Sequence, residues 1–467
     1  MPLAFKISED FDTPTLVRST TRISHSKSIV KADGSRQTTS RPVAFTRNPE
    51  KYVMLPTSAR LRRPLQEERL VKLSTFSDAF TYNRIEWGNR SLGIVTSGIS
   101  YQYAREVFPE ASFLRLGMTF PLPSNMLREF AAGVKKLMVI EELDPFLEES
   151  IKSMGITVSG KDIFPRIGEL TTGIVAESAR RAGLIPERKV PPPVASAVKL
   201  PARPPLLCAG CPHIAAFHVL SMMGKRTRLP KSKDASPKES GLIITGDIGC
   251  YTLGAYQTWN VMDTTTCMGA GIGEALGMEK AGANIGKKIV ALIGDSTFIH
   301  SGITPLVDAV YNQGHFTLII LDNGTTAMTG HQPHPGTGVA ANGTTTQAVD
   351  IEKLVRAIGV NNVKVVNAFD VKEVRSAIRI AVESNQLSVV ITRGGCSVLL
   401  RTRTGQRTID KEKCNRCGVC LTIGCPAIQA DGDQPFIEAS MCAGDACTVC
   451  QQVCPHQAIA PIAQGRK

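Results

Sequence analysis

The sequence is poor in aromatic residues, at 5% with two tryptophans, and no run of eighteen apolar residues occurs in it. The missing run excludes a membrane-spanning helix. No basic motif interleaved with aromatics accompanies the net charge of +13, so nucleic acid is not an expected partner. The opening MPLAFKISED has no basic segment followed by an apolar one and does not read as a secretory signal. What is present is 42% hydrophobic and 20% charged, the balance of a soluble globular chain. At 467 residues the chain exceeds one ordinary core, so about two to four domains are expected. The basic clusters at Arg60, Arg62, Arg63 and at Lys225, Arg226, Arg228, Lys231, Lys233 read either as solvated surface or as attraction for an acidic partner or anionic substrate.

Eight of the thirteen cysteines fall between Cys414 and Cys454. Evenly spread cysteines in a short secreted chain suggest disulfides, whereas tight runs are metal-ligand spacing. A metal-binding thiolate set implies a reducing compartment, and cytoplasm is expected. The first run is Cys414-x2-Cys417-x2-Cys420-x4-Cys425-Pro426, and the second is Cys442-x4-Cys447-x2-Cys450-x3-Cys454-Pro455. Both resemble the bacterial ferredoxin signature, in which the fourth cysteine of each run crosses to the other cluster. That resemblance assigns Cys414, Cys417, Cys420 and Cys454 to one [4Fe-4S] cluster and Cys425, Cys442, Cys447 and Cys450 to a second. Structural zinc is the alternative, since it also uses paired CxxC. Two runs that both end in Cys-Pro favour iron–sulfur. The longer spacing after Cys442 departs from the common pattern and bears on that ligand.

Upstream, strands and helices alternate. In residues 1–45, LVRSTTRI reads as a strand, the last part of a domain, and 46–90 as a basic, irregular connector with some helical periodicity. Residues 91–185 give SLGIVTSG, ASFLRLGMTF and KKLMVIEEL as strands separated by helices, with Ser124 and Asn125 capping one of them. This βαβ order predicts a parallel sheet. PERKVPPPV and PARPP within 186–206 read as a semi-rigid linker. In 207–400, GLIITGDIGC, KKIVALIGDS, FTLIILDNG and LSVVITRGGC are short apolar strands ending in Gly, Asp, Asn or Cys. Ligands of such sheets bind beyond the carboxyl ends of the strands. RTRTGQR then leads into a small α+β tail, 405–467.

Asp295 and Asn323 end two of those strands, twenty-eight residues apart with one helical crossover between them. A carboxylate, an amide oxygen and a backbone carbonyl suit Mg²⁺. The spacing resembles the thiamine diphosphate motif, with Asp322-Asn323 in place of Asn-Asn. By that resemblance Asp295, Asn323 and the Thr325 carbonyl hold Mg²⁺. Gly269, Gly271 and Gly273 open a helix upstream, where backbone N–H groups can reach a diphosphate, although close helix packing explains the same glycines equally well.

Taken together, LCAGCPH, GDIGCYTLG, MGAGIGEALG, GDSTFIHSGIT, LDNGTTAMTGHQPHPGTG and the cysteine tail resemble the alpha subunits of indolepyruvate ferredoxin oxidoreductases, within the 2-oxoacid:ferredoxin oxidoreductase family. The resemblance implies an α/β chain. A remnant of a pyrimidine-binding domain (1–45) and a transketolase C-terminal-like domain (91–185) come first. A thiamine diphosphate-binding parallel-sheet domain (207–400) and a two-cluster ferredoxin domain follow. It implies oxidative decarboxylation of aryl pyruvates to aryl-acetyl-CoA with reduction of ferredoxin, in a hetero-oligomer with a beta subunit. It implies cofactor contacts from Gly249, Gly269, Gly271, Gly273, Gly294, Asp295, Ser296, Asn323, Thr325 and Met328, and substrate contacts from His331 and His334. It assigns Cys208, Cys211, Cys250 and Cys396 to a third [4Fe-4S] cluster beside thiamine, leaving Cys267; buried structural cysteines are the alternative. The departure is at the front, where most of the pyrimidine-binding domain and its ylide-forming glutamate are not found. The competing expectations are a catalytically incomplete electron-transfer fragment and a non-oxidative decarboxylase, and the tail argues against the latter.

Overall fold

Apolar runs rich in valine, isoleucine and leucine build two sheets, each covered by helices on both faces. The computed structural model describes residues 1–31, 34, 45–187, 204–224, 241–256, 258–283, 286–399 and 403–462. The chain divides into two units, residues 1–196 and 197–467. The proline-rich stretch 188–203 and the basic cluster at 225–233 lie outside the described residues.

In the first unit β1 (Arg84–Glu86), β2 (Asn89–Ser97), β3 (Ala111–Leu116) and β4 (Leu137–Ile140) run in the order β1-β3-β2-β4. β2 is parallel to β3 and β4, and the edge strand β1 is antiparallel to β3, which the βαβ pattern did not predict. Successive residues of a strand face opposite ways. Ile94 accordingly joins Phe113 and Met138 against helices Gly98–Val107 and Thr172–Arg181, while Val95 joins Leu114 and Val139 against Ser124–Ala132 and Phe146–Ser153.

Three expectations for this unit are corrected. LVRSTTRI is not a strand: residues 14–20 lack regular structure and a short helix covers Thr21–His25. Leu16 is almost wholly exposed, so this run has no partner sheet to bury its apolar residues. The connector contains a 23-residue helix, Pro56–Asp78. The expected helical periodicity is there, but its length was not foreseen because its exposed faces are charged and Pro64 interrupts the pattern; its apolar anchor is Leu73, which packs with Ile7 and Phe80. Helix Ser124–Ala132 takes no cap from its own Ser124 or Asn125. Instead Asp78 Oδ1 accepts the N–H groups of Asn125 and Met126 at 3.0 and 3.1 Å.

In the second unit β5 (Leu242–Gly246), β6 (Thr264–Thr265), β7 (Lys288–Gly294), β8 (Thr317–Asp322), β9 (Asn362–Asn367) and β10 (Ser388–Arg393) form one parallel sheet, ordered β6-β5-β7-β8-β10-β9. One face packs on helices Ala270–Lys280, Ile303–Tyr311 and Ile351–Ile358. The other packs on His213–Met223 and Val371–Glu383, and its core continues into the tail through Ile423, Ile428, Val449 and Ile459. The tail is α+β: Arg407–Ile409 pairs with Ile459–Pro461, and Ile428–Asp431 with Gln434–Ile437.

Because Asp78 replaces a helix's own cap, Asp78→Ala is expected to cost about 1 kcal/mol of stability. Chemical denaturation of the full chain, followed by far-UV circular dichroism, measures it.

Candidate functional site

All the polar residues singled out in the second unit lie past the carboxyl ends of its strands. Gly294 is in register with Leu321, so Asp295 and Asp322 leave neighbouring strands side by side. Asp295 is buried. Its Oδ1 accepts the Ser296 N–H at 2.8 Å, and its Oδ2 accepts the Gly324 N–H at 2.8 Å and lies 3.2 Å from His334 Nε2. Burial works against the Asp295 charge, but the His334 hydrogen bond and the two N–H groups hold the carboxyl below the usual range. His334 Nδ1 accepts the Gly336 N–H at 3.2 Å, which puts the ring hydrogen on Nε2, facing Asp295. His334 therefore reaches the carboxylate rather than open space. His331 sits in the same loop with φ 61° and is half-buried.

Asn323 is buried beside this pair. Its Oδ1 accepts the Thr325 N–H at 3.0 Å, and its Nδ2 lies 3.5 Å from Nε2 of His213. Burial drops the His213 pKa to about 4, so that ring is neutral. Asp322 is compensated by Arg393, whose Nε donates to its Oδ2 at 2.8 Å. A carboxylate has about four lone-pair sites and an amide oxygen two. Asn323 Oδ1 uses one and keeps a site for a cation, while Asp295 takes two N–H groups and His334 and has Asp322 as a further side-chain partner. The oxygen donors Asp295, Asn323 and the Thr325 carbonyl thus fit Mg²⁺ chemistry. Ser296 Oγ lies 2.8 Å from Thr326 Oγ1, and Met328 is half-exposed on the loop that returns His334.

The glycines divide. A Cβ on Gly271 would lie 2.9 Å from Gly246 Cα, so helix Ala270–Lys280 presses against the end of β5. A Cβ on Gly269 would collide with Ser301 Oγ, and the Gly269 N–H is held at 2.9 Å by Asp247 Oδ2. Gly249 and Gly294 both make room for the ring of Tyr251, whose hydroxyl donates to Asp247. Only Gly273 of this set has open space where a Cβ would stand. Asp247 and Tyr251 were not foreseen. Asp247 is fully buried, and burial pushes its pKa up to about 6 against the Tyr251 and Gly269 hydrogen bonds. The signal was the acidic residue in GDIGC, overshadowed by the cysteine beside it.

The cysteines gather into three sets. Cys414, Cys417, Cys420 and Cys454 line one pocket of about 320 Å³, and Cys425, Cys442, Cys447 and Cys450 line another of about 390 Å³. This partition matches the crossing of the fourth cysteines. Cys442, the ligand that the longer spacing brought into question, lines the second pocket with the others. Among the described residues no three His, Cys, Asp or Glu side chains converge on a single ion. Burial, then the neighbouring thiols, push Cys420 up to about 11; burial is also the leading cause for Cys447 at about 11 and Cys450 at about 12. Buried thiolates at such positions need compensating positive charge, which a bound metal centre would supply. Cys208, Cys211, Cys250 and Cys396 also face one another: burial raises the Cys211 thiol first, then Cys250, Cys208 and Cys396 raise it further. The Cys396 N–H donates to the Asn323 carbonyl at 3.1 Å, which sets this third group against the Asp295–Asn323 pair. Cys267 is exposed and outside all three.

The third and second sets touch. Gly210, between Cys208 and Cys211, has φ 74°, and its N–H donates to Cys425 Sγ. A Cβ there would collide with Ala443 of the tail.

A family profile for the C-terminal TPP-binding domain of thiamine pyrophosphate enzymes matches residues 247–392. Indolepyruvate oxidoreductase subunit IorA of Archaeoglobus fulgidus is 38% identical over 98% of this chain and 74% of its own length. The IorA subunit of Methanothermobacter marburgensis is 36% identical over the same shares, 98% and 74%. Among solved structures, a 2-oxoglutarate:ferredoxin oxidoreductase from Magnetococcus marinus is 17% identical with a TM-score of 0.35, covering 44% of this chain and 67% of that one, a likeness too distant to carry an argument.

Packing and ligand cradling make different demands on the glycines. Gly271→Ala is expected to cost about 1–3 kcal/mol by overpacking backbone against backbone. Gly273→Ala, in a helix with open space beside it, is expected to be neutral or stabilising by up to about 1 kcal/mol. Thermal unfolding of the two variants without any ligand separates them.

Proposed function

The chain belongs to the family of indolepyruvate oxidoreductase IorA subunits, and from that premise we propose that it oxidatively decarboxylates aryl pyruvates of the indolepyruvate type to aryl-acetyl-CoA, acting with a beta subunit and passing electrons to ferredoxin. That it is a subunit of a thiamine diphosphate-dependent oxidoreductase follows from the family and from the domain matched at 247–392. Bound thiamine diphosphate supplies the electron sink for decarboxylation.

The chain's own residues do the rest. Asp295, Asn323 and the Thr325 carbonyl would hold Mg²⁺, and the cation would in turn bind the diphosphate oxygens. His334 fixes the Asp295 carboxylate through Nε2–H. His213, neutral and buried, steadies the Asn323 amide from the other side. His331 keeps its ring outside that network and is the better candidate of the two loop histidines to meet substrate.

The observation that carries the oxidoreductase reading over a non-oxidative decarboxylase is the alignment of the three cysteine sets. The Cys396 N–H joins the innermost set to Asn323, and the Gly210 N–H joins that set to Cys425 of the tail. We assign one [4Fe-4S] cluster to each set, giving a path from the strand ends to the tail. A decarboxylase that keeps its electrons has no use for such a path.

Anaerobic purification and reconstitution of the full chain should yield about twelve irons and as many sulfides per chain, against about eight for two clusters. Indolepyruvate- and CoA-dependent viologen reduction, with the beta subunit added, tests turnover. No reduction with the beta subunit present would sink the enzymatic reading for this chain, whatever its iron content. His334→Gln is expected to weaken Mg²⁺-dependent thiamine diphosphate binding by roughly tenfold or more, as loss of a group that orients a metal ligand does. Isothermal titration with Mg²⁺ and thiamine diphosphate measures it.

A further inference from the structure

Arg407 is the one lysine or arginine among the described residues whose side chain is buried, and it is buried beside the second cysteine set. Its guanidinium is held on three sides. Nη1 donates to Asp445 Oδ1 at 2.9 Å and to the Gly405 carbonyl, and Nε donates to Gln451 Oε1 at 3.0 Å. Its backbone N–H points at Cys442 Sγ at 3.4 Å, as does that of Gly444. Arg407 lines the same pocket as Cys425, Cys442, Cys447 and Cys450.

A buried guanidinium is costly unless it is paired, and the pairing here is lopsided. The Arg407 side chain is 5% exposed and that of its partner Asp445 is 58% exposed. Water screens the carboxylate far more than the cation. The pair therefore does not cancel at the thiols it adjoins and leaves a net positive field there. Among the described residues, the lining of the first set's pocket includes no lysine or arginine.

Reduction adds one electron, and so one negative charge, to a [4Fe-4S] cluster, with no proton required. Net charge and hydrogen bonds at the sulfurs are among the factors that set cluster potentials. We propose that Arg407 raises the reduction potential of the cluster held by Cys425, Cys442, Cys447 and Cys450, that Asp445 opposes it, and that this middle station of the path is thereby biased to accept the electron released by substrate oxidation. The inference rests on the assignment of a cluster to that set. A purely structural role for Arg407, as a clasp on the turn at Gly405, predicts no such opposition of sign.

The test is a redox titration of the reconstituted full chain, with each cluster followed by electron paramagnetic resonance. Arg407→Gln is expected to shift one midpoint downward and leave the others in place. Asp445→Asn is expected to shift that same midpoint upward, and Arg407→Lys to leave it near the wild-type value. If neither Arg407→Gln nor Asp445→Asn moves a midpoint, or if both move it the same way, the proposal is wrong. Should Arg407→Gln fail to incorporate iron, the exposed Asp445→Asn decides alone: a rise in one midpoint supports the proposal and an unchanged set overturns it. Failure of the cluster assignment itself looks different, because the wild-type chain then gives no signal to titrate.

Discussion

The second unit is organised around a contact that only glycine permits. Gly210 must adopt a left-handed backbone, must leave the space a Cβ would take from Ala443, and must direct its N–H at Cys425. An alanine there meets both the conformational penalty of positive φ and a collision. The contact fixes where the tail sits relative to the strand ends. It also fixes where the next element starts, because Cys211 and Pro212 lead directly into helix His213–Met223. Along that helix, His213 faces Asn323, Phe217 packs on Trp259, and His218 is drawn to the Thr422 backbone of the tail. Trp259 in turn occupies the space a Cβ on Gly424 would need, next to Cys425. Eleven residues of helix span about 16 Å at 1.5 Å each. One rigid rod thus touches the candidate metal ligands at one end and the tail at the other.

Anionic groups crowd this region, and each is met locally. Asp295 has His334 and two N–H groups, Asp322 has Arg393, and Asp247 has Tyr251 and the Gly269 N–H. The thiols of the second set have N–H groups and Arg407. Apart from Arg393 and Arg407, none of this draws on the net charge of +13, since the described lysines and arginines other than Arg407 are not buried. The surplus of base is a surface property, suited to steering anions or an acidic partner. The buried compensation is built pair by pair, as the cost of an unmatched buried charge requires.

How much of this was legible follows from sequence separation and from period. The parallel strands were visible because both faces of each are buried, so each reads as a continuous apolar run. The tail partition was legible through its resemblance to the bacterial ferredoxin signature, since three cysteines of each set lie close together while the fourth lies seventeen residues or more away. The 23-residue helix Pro56–Asp78 showed only as some helical periodicity, because a helix exposed along most of its length has no clear apolar stripe to reveal its extent. The Asp78 cap, which reaches forty-seven residues ahead, was not visible. His334 was legible as a loop histidine but its partner was not. Thirty-nine residues separate it from Asp295, and only the turn that pairs Thr326 with Gln332 brings them together. Arg407 was passed over as part of a basic linker for the same reason, its carboxylate lying thirty-eight residues on.

The glycine-rich segment that looked like a phosphate cradle carries less of the argument than the residues beside it. Gly249 and Gly294 are small so that Tyr251 can lie between them, Tyr251 is there to hold Asp247, and Asp247 holds the N–H of Gly269. Gly271 lets the helix reach β5. Four of the five positions are thus explained by packing and one buried carboxylate, with no ligand invoked. What packing leaves unexplained is a carboxylate and an amide side by side at adjacent strand ends, both buried, the amide oxygen with a lone pair to spare. A buried acceptor that finds no donor is costly. The case for a cation at this site therefore rests on Asp295 and Asn323, and the case for the diphosphate rests on the cation.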